Sequence, residues 1–214
     1  MMLYAKMRSG LSMSSYTLNK ALSLLLFPLF AFALLGCDNR AHISPEVPQI
    51  PISDIRSCDL VFRLGRSIES AIVAADGGYS HIGVIIRANS GLWVAHIEPS
   101  REGQEQTKYE SLEEFFRSDR ALAGCVMRLE ELDPMQRERV ENYLLSCRNI
   151  SFDHDYMLSD TTQMYCTELV WRAFLSVEVD LSAGTRRKLP LAREQVILPT
   201  DIFANEALVK VWSY

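Results

Sequence analysis

The sequence predicts an α+β fold in which an antiparallel sheet packs against helices, and three observations lead there. Two runs rich in β-branched and aromatic residues, 79–86 and 92–98, flank Arg87-Ala88-Asn89-Ser90-Gly91, whose composition is that of a turn, so together they read as a β-hairpin. Asp133-Pro134 has the form of an N-cap followed by proline at the first helical position, and it opens a stripe formed by Val140, Tyr143, Leu144 and Cys147. Cys166 opens a second helical stripe of Leu169, Val170, Ala173 and Phe174. Neither an internal repeat nor a glycine-rich phosphate loop interrupts this pattern, which describes one compact domain.

The remaining segments follow in chain order. Lys6, Arg8 and Lys20 precede an apolar run from Ala21 to Leu35 that ends Leu34-Leu35-Gly36-Cys37. This resembles a bacterial lipoprotein signal (residues 1–36), cleaved before Cys37, whose thiol and amine then carry lipid. Met7 and Met13 are alternative starts that would each leave a charged segment. The run is short for a spanning helix, which needs about 20 residues, and Pro28 interrupts it; a retained membrane anchor is the alternative. An aspartate at position 38 resembles the signal that keeps lipoproteins of enteric-type bacteria in the inner membrane, facing the periplasm. Residues 37–56, with Pro45, Pro48 and Pro51, read as the lipidated cysteine and an extended tether, and the domain proper runs over 57–214. Within it, 67–75 reads as a short helix with Ile68, Ala71, Ile72 and Ala75 on one buried face, 111–116 as another helix, and 123–129 as a strand. Residues 151–164 have little periodicity; their Phe152-Asp153 and Asp155-Tyr156 pairs either border the substrate cleft or form a plain loop. Arg186, Arg187, Lys188 and Arg193 fall in a charge run that reads as a solvated face.

Composition removes some functions. The net charge of −5 offers no basic patch, which argues against nucleic acid as a partner. Setting Cys37 and Cys166 aside from the five cysteines leaves Cys58, Cys125 and Cys147, an odd number, so at least one is expected as a buried free thiol. His42 and His154 have no Cys or His partner at zinc-ligand spacing and read as exposed loop residues; the chemistry below requires neither a metal nor a cofactor.

That chemistry starts at Cys166, three and four residues before its apolar stripe and therefore on the inward face of the first turn. There the unpaired N–H groups and the positive end of the helix dipole favour a thiolate, and an imidazolium would favour it further. The hairpin supplies imidazoles. With Asn89 and Ser90 as the central turn residues, Gly83 faces His96 and His81 faces Glu98, so all four share one side, with the two histidines on a diagonal that their rings can nearly span. Gly83, lacking a side chain, leaves room beside them. A cysteine, a histidine as base and a polar group to fix its tautomer are the parts of a thiol acyl-transfer site, with an oxyanion held near the Cys166 N–H.

These blocks carry a family resemblance. Asp59-Leu60-Val61-Phe62-Arg63, Ser80-His81-Ile82-Gly83-Val84, Tyr165-Cys166-Thr167-Glu168-Leu169-Val170 and Leu198-Pro199-Thr200-Asp201-Ile202 resemble, in this order, the motifs of the YiiX/YebB-like hydrolases, the permuted branch of the NlpC-type papain-like superfamily. The resemblance implies a circularly permuted papain-like fold, Cys166 as nucleophile, His81 as general base and a third residue orienting His81. That third place often holds Glu in this branch and His in its acyltransferase relatives; here it falls on His96, with Glu98 as the alternative. Where the family usually has Gly-Asp before its first strand, this chain has Cys58-Asp59. The function implied is a membrane-tethered cysteine hydrolase acting on an amide or peptide bond, such as cell-wall peptide, through a thioester. The alternatives are a thiol lipid acyl hydrolase or acyltransferase, and a non-catalytic binding lipoprotein of the same fold.

Overall fold

The computed structural model describes residues 46–74, 78–88, 91–100, 105–189 and 192–214. The expected signal, Cys37, Asp38, His42, Ala75 and the turn residues Asn89 and Ser90 lie outside the described residues.

Six strands form one sheet: β1 (Leu60–Gly65), β2 (His81–Ala88), β3 (Gly91–His96), β4 (Lys108–Glu110), β5 (Ala121–Leu129) and the C-terminal strand (Leu208–Ser213). In space they run C-terminal strand, β5, β1, β2, β3, β4, every neighbour antiparallel. The hairpin has the expected register, with Val84 opposite Ala95 and Ala88 opposite Gly91. Leu60, Val61 and Phe62 are all buried because the central strand is covered on both faces, which produces an unbroken apolar run rather than alternation.

On one face, Leu60, Phe62, Ile82 and Val84 join Val140 and Leu144 of one helix (α3, Pro134–Ser146) and Leu169, Val170, Ala173 and Phe174 of another (α4, Cys166–Leu175). These stripes are core, as their spacing predicts. On the other face, Val61, Ile85, Val94 and Val126 pack under Leu112 and Phe115 of a one-turn helix (α2, Leu112–Phe115) and under Phe116. Among the described residues no helix is long and apolar enough to cross a membrane.

The entrance to β1 is pinned electrostatically. Arg128 Nε and Nη2 donate to the two oxygens of the buried Asp59 carboxylate, each at 2.7 Å, and Nη2 also donates to the Asp54 carbonyl at 2.6 Å. Cys58 adopts φ 67 there, the left-handed region that favours glycine. The Gly expected at this place from the family resemblance thus has a conformational reason. The segment before it lies along the domain: Glu46 and Ser118 hydrogen-bond through their backbones, and Ile50 and Ile55 pack in the second core.

One expected stripe is not core. The helix after β1 (α1, Ile68–Val73) leaves Ala71 exposed and Ile72 69% exposed. Periodicity identifies the apolar face but not what lies opposite it, and here Ile72 and Val73 border a cavity. Cys58, Cys125 and Cys147 are buried free thiols, as their odd number requires of at least one.

Candidate active site

Cys166 is the first residue of α4, preceded by Tyr165 at the N-cap with φ −94 and ψ 169. Tyr165 has no side-chain acceptor to cap the helix; its hydroxyl instead accepts the Ile197 N–H at 3.0 Å, tying the start of α4 to the segment before the Leu198-Pro199 block. Ile82 lies beyond the last paired rung of the hairpin, and its backbone N–H acts to lower the Cys166 thiol. The residue before Ile82 is His81. Both Cys166 and His81 line a cavity of about 730 Å³, walled elsewhere by Ile72, Phe152, Tyr156 and Leu189. Residues 151–164 therefore border the cleft through Phe152 and Tyr156, the first of the two options their sequence allowed.

His81 and His96 project from the same face of the sheet, and His81 Nε2 lies 2.9 Å from His96 Nδ1 with the rings near perpendicular. Gly83 makes this possible: a Cβ there would stand 2.7 Å from a Val94 methyl and 3.1 Å from His96 Cβ. Phe115 of α2 roofs the pair, stacked on His81 and edge-on to His96. Glu98 also lies close by but bonds elsewhere. It is paired with Arg63 and accepts from Lys108 Nζ at 2.9 Å and Arg120 Nη2 at 2.8 Å.

The electrostatics follow from this packing. Burial, then Arg63 and His96, hold the His81 imidazole well below the usual histidine range; burial likewise lowers His96. Burial pushes the Cys166 thiol up, against smaller lowering by Thr167, the Ile82 N–H and Arg63. The resting pair is thus neutral thiol and neutral imidazole. This differs from the thiolate that a helix start alone leads one to expect, because desolvation at Cys166 outweighs the dipole.

The sequence did not single out Glu110, Arg63, Arg120 or Phe115 for the site. Arg63 stands on β1 opposite His81, and its guanidinium lies 4.5 Å from the Phe115 ring centroid. Glu110 closes the short strand β4 behind His96. Arg63 fell inside a quoted motif, but three-residue β4 is too short for alternation to reveal.

Residues 54–211 match the family described as permuted papain-like amidase, YaeF/YiiX, C92. The chain belongs to that family. This amidase is accordingly a cysteine peptidase/amidase-type hydrolase with a permuted papain-like α+β fold. A solved structure described as the metalloprotein YiiX from Escherichia coli O157:H7 shares the fold, with a TM-score of 0.64 and 19% identity over 75% of this chain and 98% of that one. No curated protein matches the amidase significantly.

His81, His96 and Glu98 bring potential ligand atoms within 4.8 Å of one another. The donor set does not suit a cation: Glu98 is neutralised by Arg63, Lys108 and Arg120, and the nitrogens facing each other on the two imidazoles already share a hydrogen bond.

Proposed function

We propose that the amidase cleaves an amide or peptide bond with Cys166 as nucleophile, His81 as general base and His96 as the group that orients His81. The observation that carries this reading is the 2.9 Å contact between His81 Nε2 and His96 Nδ1, beside the cavity that His81 shares with Cys166. With Nε2 committed to His96, Nδ1 of His81 is the nitrogen left to take the thiol proton. The Cys166 sulfur then attacks the amide carbonyl, and N–H groups at the uncapped start of α4 stabilise the oxyanion. Collapse expels the amine, which receives the proton from His81, and leaves a thioester. His81 next deprotonates a water that attacks the thioester; the carboxylic acid departs and the thiol regains its proton.

Turnover of cell-wall peptides and of simple N-acyl amides by the full-length protein tests this reading, with phospholipid vesicles as the competing substrate. Amide hydrolysis lost in Cys166→Ala supports it. Hydrolysis that survives in that variant refutes it. Cleavage of phospholipid esters alone would favour a lipid acyl hydrolase, a reading that the aromatic and aliphatic cavity wall of Phe152, Tyr156, Leu189 and Leu198 accommodates.

The location proposed is the bacterial cell envelope, through lipid on Cys37. Two or more acyl chains hold a protein stably on a bilayer where one does not. The protein should sediment with membranes and Cys37→Ser should accumulate as an unlipidated, uncleaved precursor; a Cys37→Ser protein processed like the original would sink the assignment.

A further inference from the structure

The polar contacts behind His81 do not stop at His96. Glu110 pairs opposite Val94 in the sheet, so its side chain is on the His96 face, and its Oε1 stands 3.0 Å from His96 Nε2. Its other oxygen, Oε2, accepts from Arg120 Nη1 at 2.7 Å. Arg63 Nη1 is 3.7 Å from Oε1. We propose that Glu110 is a positioning residue that fixes the tautomers of both histidines, extending the site to Cys166, His81, His96 and Glu110. The proposal rests on the reading that His81 receives the Cys166 proton.

The argument is one of hydrogen counting. An ionised carboxylate can only accept. Glu110 is ionised: burial pushes it up, but the His96 contact and Arg120 outweigh that and bring it to about 2. The His96 nitrogen facing it, Nε2, must therefore carry the hydrogen. A neutral imidazole has one N–H, so Nδ1 of His96 bears a lone pair. That lone pair faces His81 Nε2, which must then be the second N–H. His81 is left with a bare lone pair on Nδ1, the form a base needs. Reversing either ring would set two lone pairs or two hydrogens against each other inside a dry pocket, where an unmatched polar group costs about 1–3 kcal/mol. Glu98 cannot set this order, because Arg63, Lys108 and Arg120 occupy it.

The resting contact also has slack. His96 Nε2 and Glu110 Oε1 are buried and close, yet they do not meet in good hydrogen-bond geometry, and neither has another such partner among the described residues. When His81 gains the thiol proton it becomes an imidazolium, His96 Nδ1 accepts more strongly from it, and the His96 N–H polarises toward Glu110. A contact that tightens at that moment favours the transition state over the resting enzyme.

The test reads the hydrogens directly. In the full-length protein labelled with ¹⁵N-histidine, long-range ¹H–¹⁵N correlation should show His81 and His96 both as Nε2–H tautomers. Glu110→Gln, which offers an amide donor as well as an acceptor, should shift His96 toward Nδ1–H. It should slow iodoacetamide alkylation of Cys166 at neutral pH by about tenfold or more, since loss of the carboxylate that fixes a catalytic histidine's tautomer leaves the base in the wrong form. Glu110→Asp should restore part of both. His96 found as Nδ1–H in the unaltered protein overturns the proposal, and needs no variant to fold. So does a folded Glu110→Gln protein with unchanged tautomers and unchanged alkylation. His81→Gln separates the two readings: if it leaves alkylation untouched, the base assignment fails and takes this proposal with it, whereas failure at Glu110 alone leaves Cys166, His81 and His96 standing.

Discussion

Helices α3 and α4 begin in opposite ways. At the start of α3, the Asp133 side chain accepts the Gln136 N–H at 2.8 Å, the Gln136 side chain accepts the Asp133 N–H at 3.0 Å, and Pro134 removes a further donor. At the start of α4, an aromatic residue stands at the cap, no cap side chain takes the first-turn N–H groups, and the residue that follows is Cys166. The first helix uses up its own donors; the second leaves them beside a thiol and a cavity. A closed start contributes stability, and an open one leaves positive potential for an incoming group to use. Lesions at the two places should therefore separate activity from stability.

The sharpest break is Cys166→Ala. Hydrolysis should vanish while the thermal midpoint stays near that of the parent, since only one sulfur is removed at a half-buried position; Cys166→Ser should be nearly as dead, an alcohol being harder to ionise beside the same imidazole. Next comes His81→Gln, expected to lower turnover by about a hundredfold or more. Because burial keeps His81 well below 6.5, it stays an unprotonated base in mildly acidic solution, so the acid limb of the parent rate profile should fall below that value. An acid limb centred above it would contradict the neutral resting pair. A smaller contrast lies between His96→Ala and Glu98→Gln. The first should reduce the rate more, because His96 touches His81 while Glu98 is engaged by Arg63, Lys108 and Arg120; the reverse order would hand the orienting role to Glu98. Smallest is Asp133→Ala, which should cost about 1 kcal/mol of unfolding free energy in a denaturant titration and leave turnover unchanged. Loss of activity there would mean that the two helix starts are not independent.

The same contrast explains what the sequence could reveal. The α3 cap and the α4 stripe were legible because they are local: a few adjacent residues carry the whole signal. The hairpin register was legible too, since a two-residue turn fixes which residues face each other, and that alone sets His81, Gly83 and His96 on one side. Glu110, Arg63 and Arg120 were not legible as a group. They come from β4, β1 and the residue before β5, and only the sheet order sets them around one pair of imidazoles. The Ile72 face misled for a related reason, a cleft wall and a core wall having the same periodicity. The upward push on the Cys166 thiol was not legible either, because a helix start is visible in sequence, whereas the desolvation that opposes it depends on what folds over the sulfur.

The burial of the cysteines has a practical side. Cys58, Cys125 and Cys147 are at most 5% exposed, and burial raises the pKa of each. Cys166 alone among the described cysteines is partly open, and it faces a cavity. Toward a chemist's reagents the folded domain thus presents one address without any engineering: a fluorophore or spin probe delivered through a mild electrophile would report from the floor of the cleft, and the silent thiols would become countable only once the protein is unfolded.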